Sequence, residues 1–219
     1  EPYTIEADGS YTVRTAEGLR AWRKAARDDD DINCTLAADI DMTNTNWQRI
    51  DCSGTFDGNG YTITGLKDCL IDWNTGTVRN LTLVNPNVNT SYHRAGAVAS
   101  ENFGTIENCH VVGGSVASGN GFIPPIISVG GIAGVNNNKI RACSSSAAVT
   151  AIEGDEIGGI VGDNKGSVLA GYATGSVTGN GADIGAIAGR NGGTITACYW
   201  SGDVGGGSEG TTEVDGEVV

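Results

Sequence analysis

The sequence predicts an all-β fold, a right-handed parallel β-helix (β-solenoid) of about five coils of about 28 residues, with an N-terminal capping helix. Three observations predict it: apolar residues recur at a fixed interval, glycine fills 35 of 219 positions, and one amphipathic stretch precedes the repeats. Self-similarity at such a period marks stacked units, each too small to bury its own apolar face.

The period is read from GTVRNL at 76, GTIENC at 104, NKIRAC at 138, GSVLAG at 166 and GTITAC at 193. Their anchors Val78, Ile106, Ile140, Val168 and Ile195 are spaced by 28, 34, 28 and 27 residues. Eight residues before each anchor stand Leu70, Val98, Ile132, Ile160 and Ile187, and nine or ten after stand Val88, Val116, Val149, Val177 and Val204. Stacking such units at the ~4.8 Å inter-strand spacing aligns like residues into continuous apolar columns. Three short strands per unit predict a roughly triangular prism. The strong bias of parallel crossovers makes it right-handed. Glycine is expected to supply positive φ at corners and close packing in a narrow core.

Two polar columns are assigned to structure. Asn74, Asn102, Asn136, Asn164 and Asn191 lie four residues before the anchors. Stacked Asn side chains hydrogen-bond above and below and tolerate left-handed geometry at a turn. Leu81, Cys109, Cys143, Gly171 and Cys198 lie three residues after, so these cysteines read as small buried hydrophobes. The disulfide state of Cys34, Cys52 and Cys69 is open, a Cys34–Cys52 bridge included. Arg79, Glu107 and Arg141 form an outward column of alternating charge, which favours one register.

Before the repeats, residues 16–26 place Leu19, Trp22 and Ala26 on one helical face behind Thr15 as N-cap, and this helix is expected to cover the first coil. Residues 34–42 and 56–66 read as entry strands, and Asp28 to Asp31 as a solvated loop. The resulting division is a cap at 1–55, repeats at 56–204 and a tail at 205–219.

Two segments are candidate ligand sites. The 34-residue coil carries its extra residues in GNGFIPPIIS, where Phe122, Ile123 and Ile126 form an apolar loop. Insertions in stacked repeats often map to a binding face. Tyr172 and Tyr199, four residues after adjacent anchors and beside Trp200, either form an aromatic platform for sugar or cover the last coil.

A formal net charge of -13 argues against nucleic acid and against an anionic membrane surface. No run approaches the ~18 apolar residues of a membrane-spanning helix. The expected partner is an extracellular protein or glycan. No catalytic residue, metal site or cofactor is assigned: H-E-x-x-H is absent, and His93 and His110 fall in different coils and columns. Paired carboxylates for polysaccharide chemistry would come from Asp155, Glu156, Asp163 and Asp183, but their scatter reads as solvated surface. The chain opens with Glu1 and Pro2 and shows no signal peptide, as a mature or trimmed form would.

The motifs GGIAGVNNNKI, GGIVGDNKGSV and GAIAGRNGGTI resemble the GLUG-motif repeat family. LAADIDM, Trp47 and GTFDGNGYTI are similar to the segment that precedes those repeats, so the resemblance covers residues 33 to 200. It implies a secreted or surface-anchored bacterial protein, of adhesin type or an accessory segment of an immunoglobulin A protease. The resemblance supplies no catalytic residues.

Overall fold

The computed structural model describes residues 1–119, 127–151, 156–180 and 183–206. These form one helix and short strands, nearly all paired in parallel with the equivalent strand of the next repeat. The register is the one the sequence columns predict. Val78 pairs with Ile106, then Ile140, Val168 and Ile195, and Phe56 extends the column by one coil. Val88, Val116, Val149, Val177 and Val204 pair in the same way. The third column, Leu70 through Ile187, is buried throughout.

From the second full coil onward, each coil contributes to four parallel sheets rather than to the three faces of a triangular prism. The additional sheet contains Arg94–Ala95, Ser128–Gly130, Glu156–Gly158 and Asp183–Gly185. It folds back onto the sheet that contains Ala99–Asn102, Ala133–Asn136, Val161–Asn164 and Ala188–Asn191. Glycine makes this possible through close approach and not through positive φ. A Cβ at Gly162 would lie 2.5 Å from the Val129 backbone nitrogen, and one at Gly158 only 2.0 Å from the Val161 carbonyl oxygen. Neither residue has a left-handed backbone.

The left-handed positions lie elsewhere. Asn80, Asn108, Ala142, Ala170 and Ala197, each two residues after an anchor, have φ between 50° and 54°. They bend the strand that follows the anchor. The Asn column has no such geometry, so its role is confined to hydrogen bonding. Each Asn donates its Nδ2 to the Oδ1 of the Asn in the next coil, at 2.7, 2.8, 2.8 and 2.7 Å from Asn74 through to Asn191. All four donors also reach a backbone carbonyl there, at 3.3 Å to Thr105, 3.1 Å to Lys139 and 3.2 Å to Ser167 and Thr194. At the lower end Cys52 occupies the column, and Asn74 Oδ1 is buried with no partner.

The capping helix spans Ala16–Ala26, and Thr15 Oγ1 accepts from the Gly18 backbone N–H at 3.2 Å. Its buried face is Gly18, Leu19, Trp22 and Ala26. Trp22 meets Phe56 edge to face at 5.2 Å, and its Nε1–H donates to the Ile32 carbonyl at 2.9 Å. The entry strands are Cys34–Leu36, Ile40–Asp41, Thr55–Asp57 and Thr62–Thr64. Before the helix, Tyr3–Ile5 pairs antiparallel with Tyr11–Val13, which then pairs in parallel with Cys34–Leu36. This hairpin ends the large sheet with a short strand against which Asp8–Gly9 makes the turn, a device that blunts an open edge.

Candidate functional site

One outward column of the large sheet contains Thr82, His110, Ser144, Tyr172 and Tyr199 in register. The two tyrosines are 45% and 53% exposed, so the column presents aromatic surface over its last two coils. Tyr172 Oη lies 3.3 Å from Ser201 Oγ. His110 is tied into the same column, with Nδ1 at 2.8 Å from Ser144 Oγ and Nε2 at 3.2 Å from Asn108 Oδ1.

Trp200 does not belong to that face. It pairs with Ala173, and the column beneath contains Ser145, Val111 and Leu83, all buried. Neighbours in a strand point to opposite sides, so Trp200 continues the line of the core column into the last coil, where it is itself 39% exposed. The remaining candidates, Phe122, Ile123 and Ile126, lie outside the described residues.

The carboxylates of the fourth coil are not solvated surface. Glu156 and Asp163 are 2% and 4% exposed and lie where the two folded-back sheets meet. Glu156 Oε2 accepts from Ser128 Oγ at 2.5 Å, and Oε1 accepts from Arg190 at 3.3 Å. Asp163 Oδ2 pairs with Lys165 Nζ at 2.9 Å, while its Oδ1 is buried and has no partner. Burial pushes the Glu156 carboxyl above its usual range, and the negative charge of Asp163 adds to this. The second full coil instead pairs opposite charges at the equivalent place: Arg94 with Glu101, which also accepts from Asn137 at 3.1 Å. A buried pair of like charge is the kind of arrangement that marks functional sites and costs stability when it serves none. Asp155 lies outside the described residues, and Asp183 pairs in register with Glu156.

All six cysteines are buried free thiols. Burial raises the Cys34 and Cys109 thiols well above their ordinary value and pushes Cys52 up to about 12, so these three are not poised as nucleophiles. Among the described residues no three His, Cys, Asp or Glu side chains converge as a metal site. Among the described residues no helix is long and apolar enough to cross a membrane. The charge column exists as two ion pairs, Asp57–Arg79 at 2.8 Å and Glu107–Arg141 at 2.6 Å.

A second aromatic surface lies at the other end of the molecule and is not singled out by the repeat columns. Trp73 and Phe103 are exposed and meet edge to face at 6.2 Å. Nearby, Arg49 lies under Tyr92, 4.7 Å from the ring centre, and bonds Asp68 at 2.6 Å. Trp73 sits five residues before an anchor, in the column of Glu101, Val135, Asp163 and Arg190. A large apolar residue in a column otherwise polar in most coils was the available signal.

Two solved structures share this fold. A crystal structure described as a putative immunoglobulin A1 protease from Bacteroides ovatus aligns with a TM-score of 0.74 and 24% identity, over 90% of this chain and 68% of that one. A structure named IgA1 Protease aligns with a TM-score of 0.64 and 19% identity, over 88% of this chain and 16% of that one. At these identities the likeness establishes the fold alone. No family model and no curated protein matches the chain.

Proposed function

We propose that this chain is a non-catalytic module of a secreted or cell-surface bacterial protein, a right-handed β-helix of GLUG type that binds an extracellular protein or glycan. The division into a cap, repeats from residue 56 and a tail belongs to this reading. The observation that carries it is the outward tyrosine face: Tyr172 and Tyr199 occupy successive coils in strict register and stay exposed. Aromatic rings at one inter-strand spacing offer an extended apolar strip flanked by hydroxyls, suited to a polymer or an extended segment. The protease names of the two fold neighbours support placing such a module within a larger surface protein. The test is a glycan and extracellular-matrix array probed with the wild type and with a Tyr172→Ala, Tyr199→Ala double variant. Reproducible binding that the double variant loses is expected. Binding by neither protein would sink the reading.

A second reading, a polysaccharide-active enzyme, is favoured by one observation, the buried Glu156–Asp163 pair. A carboxyl raised by burial beside a second carboxylate is the kind of arrangement that glycoside cleavage uses. Turnover of an arrayed saccharide that Glu156→Gln abolishes would favour it over binding alone.

A further inference from the structure

The exposure of Trp73 is a consequence of the architecture. In its column Glu101, Val135 and Asp163 are buried, whereas Trp73 is 52% exposed. The folded-back sheet begins only at Arg94–Ala95, one coil later, so no strand of that sheet pairs beneath it to cover Trp73. Phe103 is 42% exposed and packs its ring against the indole at 61°. The two rings leave one another's faces partly open to solvent.

The surroundings of this pair are acidic. Asp51, one coil below, accepts from the Trp73 backbone N–H through Oδ1 at 3.2 Å. Asp51 also lines an open depression of about 360 Å³ together with Asp28, Asp29, Asp30 and Ile50. Arg27 also lines that depression and forms no ion pair among the described residues. The buried cation nearby, Arg49, is committed elsewhere: to Asp68 at 2.6 Å, Ser100 Oγ at 2.5 Å and the Arg94 carbonyl at 3.3 Å. It reaches Asp72 only at 3.6 Å and does not pair with Asp51. Burial raises the Asp51 carboxyl above its ordinary range, and Asp72 and Asp30 repel it further. An added positive charge here would be attracted by both the carboxylates and the electron-rich ring faces.

We propose that the Trp73–Phe103 flank docks a cationic segment of a protein partner, with an Arg or Lys side chain seated against the indole and Asp51 as its counter-ion. The proposal rests on reading the chain as a binding module, but it concerns a face distinct from the tyrosine column. Charge complementarity selects this occupant. An anionic ligand would meet four carboxylates, and a neutral glycan would leave the mutual repulsion of Asp30, Asp51 and Asp72 unrelieved.

The test uses the intact chain and fluorescein-labelled Gly-Ser peptides that carry four Arg, four Lys, four Gln or four Glu residues, with binding read by anisotropy. The Arg and Lys peptides are expected to bind, and the Gln and Glu peptides to bind at least ten times more weakly. Trp73→Ala and Trp73→Leu are both expected to weaken the Arg peptide by about two- to fivefold, the size of a cation–π contact at an exposed site. Trp73→Leu keeps apolar bulk, so it guards against a folding defect in the Ala variant. Asp51→Asn is expected to weaken binding severalfold, whereas the Tyr172→Ala, Tyr199→Ala variant leaves it unchanged. Equal binding by the Trp73 variants would mean that the net charge of -13 attracts the peptide without a site, and overturns the proposal. Tight binding of the Gln peptide, or no binding of any peptide, overturns it as well. In those cases the glycan and matrix array still decides the binding reading independently.

Discussion

The first two full coils and the last three coils solve the same bend differently. In the earlier pair, single strands of eight residues, Thr77–Val84 and Thr105–Val112, run through the left-handed position, which is occupied by Asn80 and Asn108. Those two side chains are bonded to one another at 2.9 Å. In the later coils the position is Ala142, Ala170 or Ala197, and the strand is split in two, as in Lys139–Arg141 and Ser144–Ser145. The next core position is Leu81 and Cys109 in the earlier pair and Cys143, Gly171 and Cys198 in the later coils. Asn enters the left-handed region readily because its short polar side chain bonds locally, whereas Ala does so at a cost of about 1–2 kcal/mol. The later coils therefore hold a strained geometry with less core volume. What maintains it is the in-register stack: Ala142 still donates its backbone N–H to the Leu169 carbonyl at 2.9 Å, and Ala170 to Thr196 at 3.0 Å.

Core truncation in the later half should break this balance most severely. Ile160→Ala removes buried methylene groups between Ile132 and Ile187 and is expected to cost roughly 2–5 kcal/mol. Chemical denaturation measures the loss. An unchanged midpoint would mean that the stack does not depend on this column.

Next in size is the junction between the two halves. Asn136→Ala removes an acceptor from Asn102 and a donor to Asn164, two residues that are fully buried. Leaving a buried partner unpaired costs about 1–3 kcal/mol. Amide hydrogen exchange should show faster opening of Val161–Asn164 than of Ile71–Asn74. Uniform exchange across both halves would show that the ladder does not couple them.

Relief of strain is expected to act in the opposite direction. Ala142→Gly should stabilise by about 1 kcal/mol or less, and Ala142→Asn should do so while extending the Asn80–Asn108 pair. Asn108→Gly, by contrast, should stabilise nothing. Thermal unfolding of the two sites side by side decides the matter, and a destabilised Ala142→Asn would contradict the strain account.

The smallest effect concerns pH. Glu156 has its folded-state pKa raised, so the protonated form favours folding. The stability this contributes is complete below the unfolded pKa of Glu and is lost as pH rises through the raised folded value. Glu156→Gln should therefore gain stability relative to wild type as pH increases from 4 toward 8. A constant difference between the two proteins across that range would show that Glu156 does not titrate in the folded state.

Much of the fold was legible because buried columns repeat their chemistry. Five Asn residues at one offset and apolar anchors at another leave a single consistent register. The left-handed column was not legible in the later coils, because Ala carries no mark of positive φ. The fourth sheet was concealed for a related reason: glycine pairs such as Gly158–Gly159 look like turn residues, yet they serve close packing. That misreading exposed Glu156 and Asp163 on paper, when a sheet covers them. Two features were written in the sequence and needed only stricter reading. Strand alternation places Trp200 on the opposite side from Tyr199, and the Asp8–Gly9 pair between Tyr3–Ile5 and Tyr11–Val13 is a hairpin signal. The Trp73–Phe103 contact joins residues from successive coils and follows from three-dimensional stacking.

The amide chain from Asn74 to Asn191 has a direction, since each of the three interior side chains gives a hydrogen toward the C-terminus and takes one from the other side. A segment of 28 residues cut from the interior would therefore leave a donor facing an acceptor at the splice, with no side chain reversed. Only the ends are unique: a thiol stands below Asn74, and a helix closes the entry. Duplication or loss of a whole repeat is consequently a change of length and not of kind, and such a protein can vary its reach between lineages without inventing a new interface.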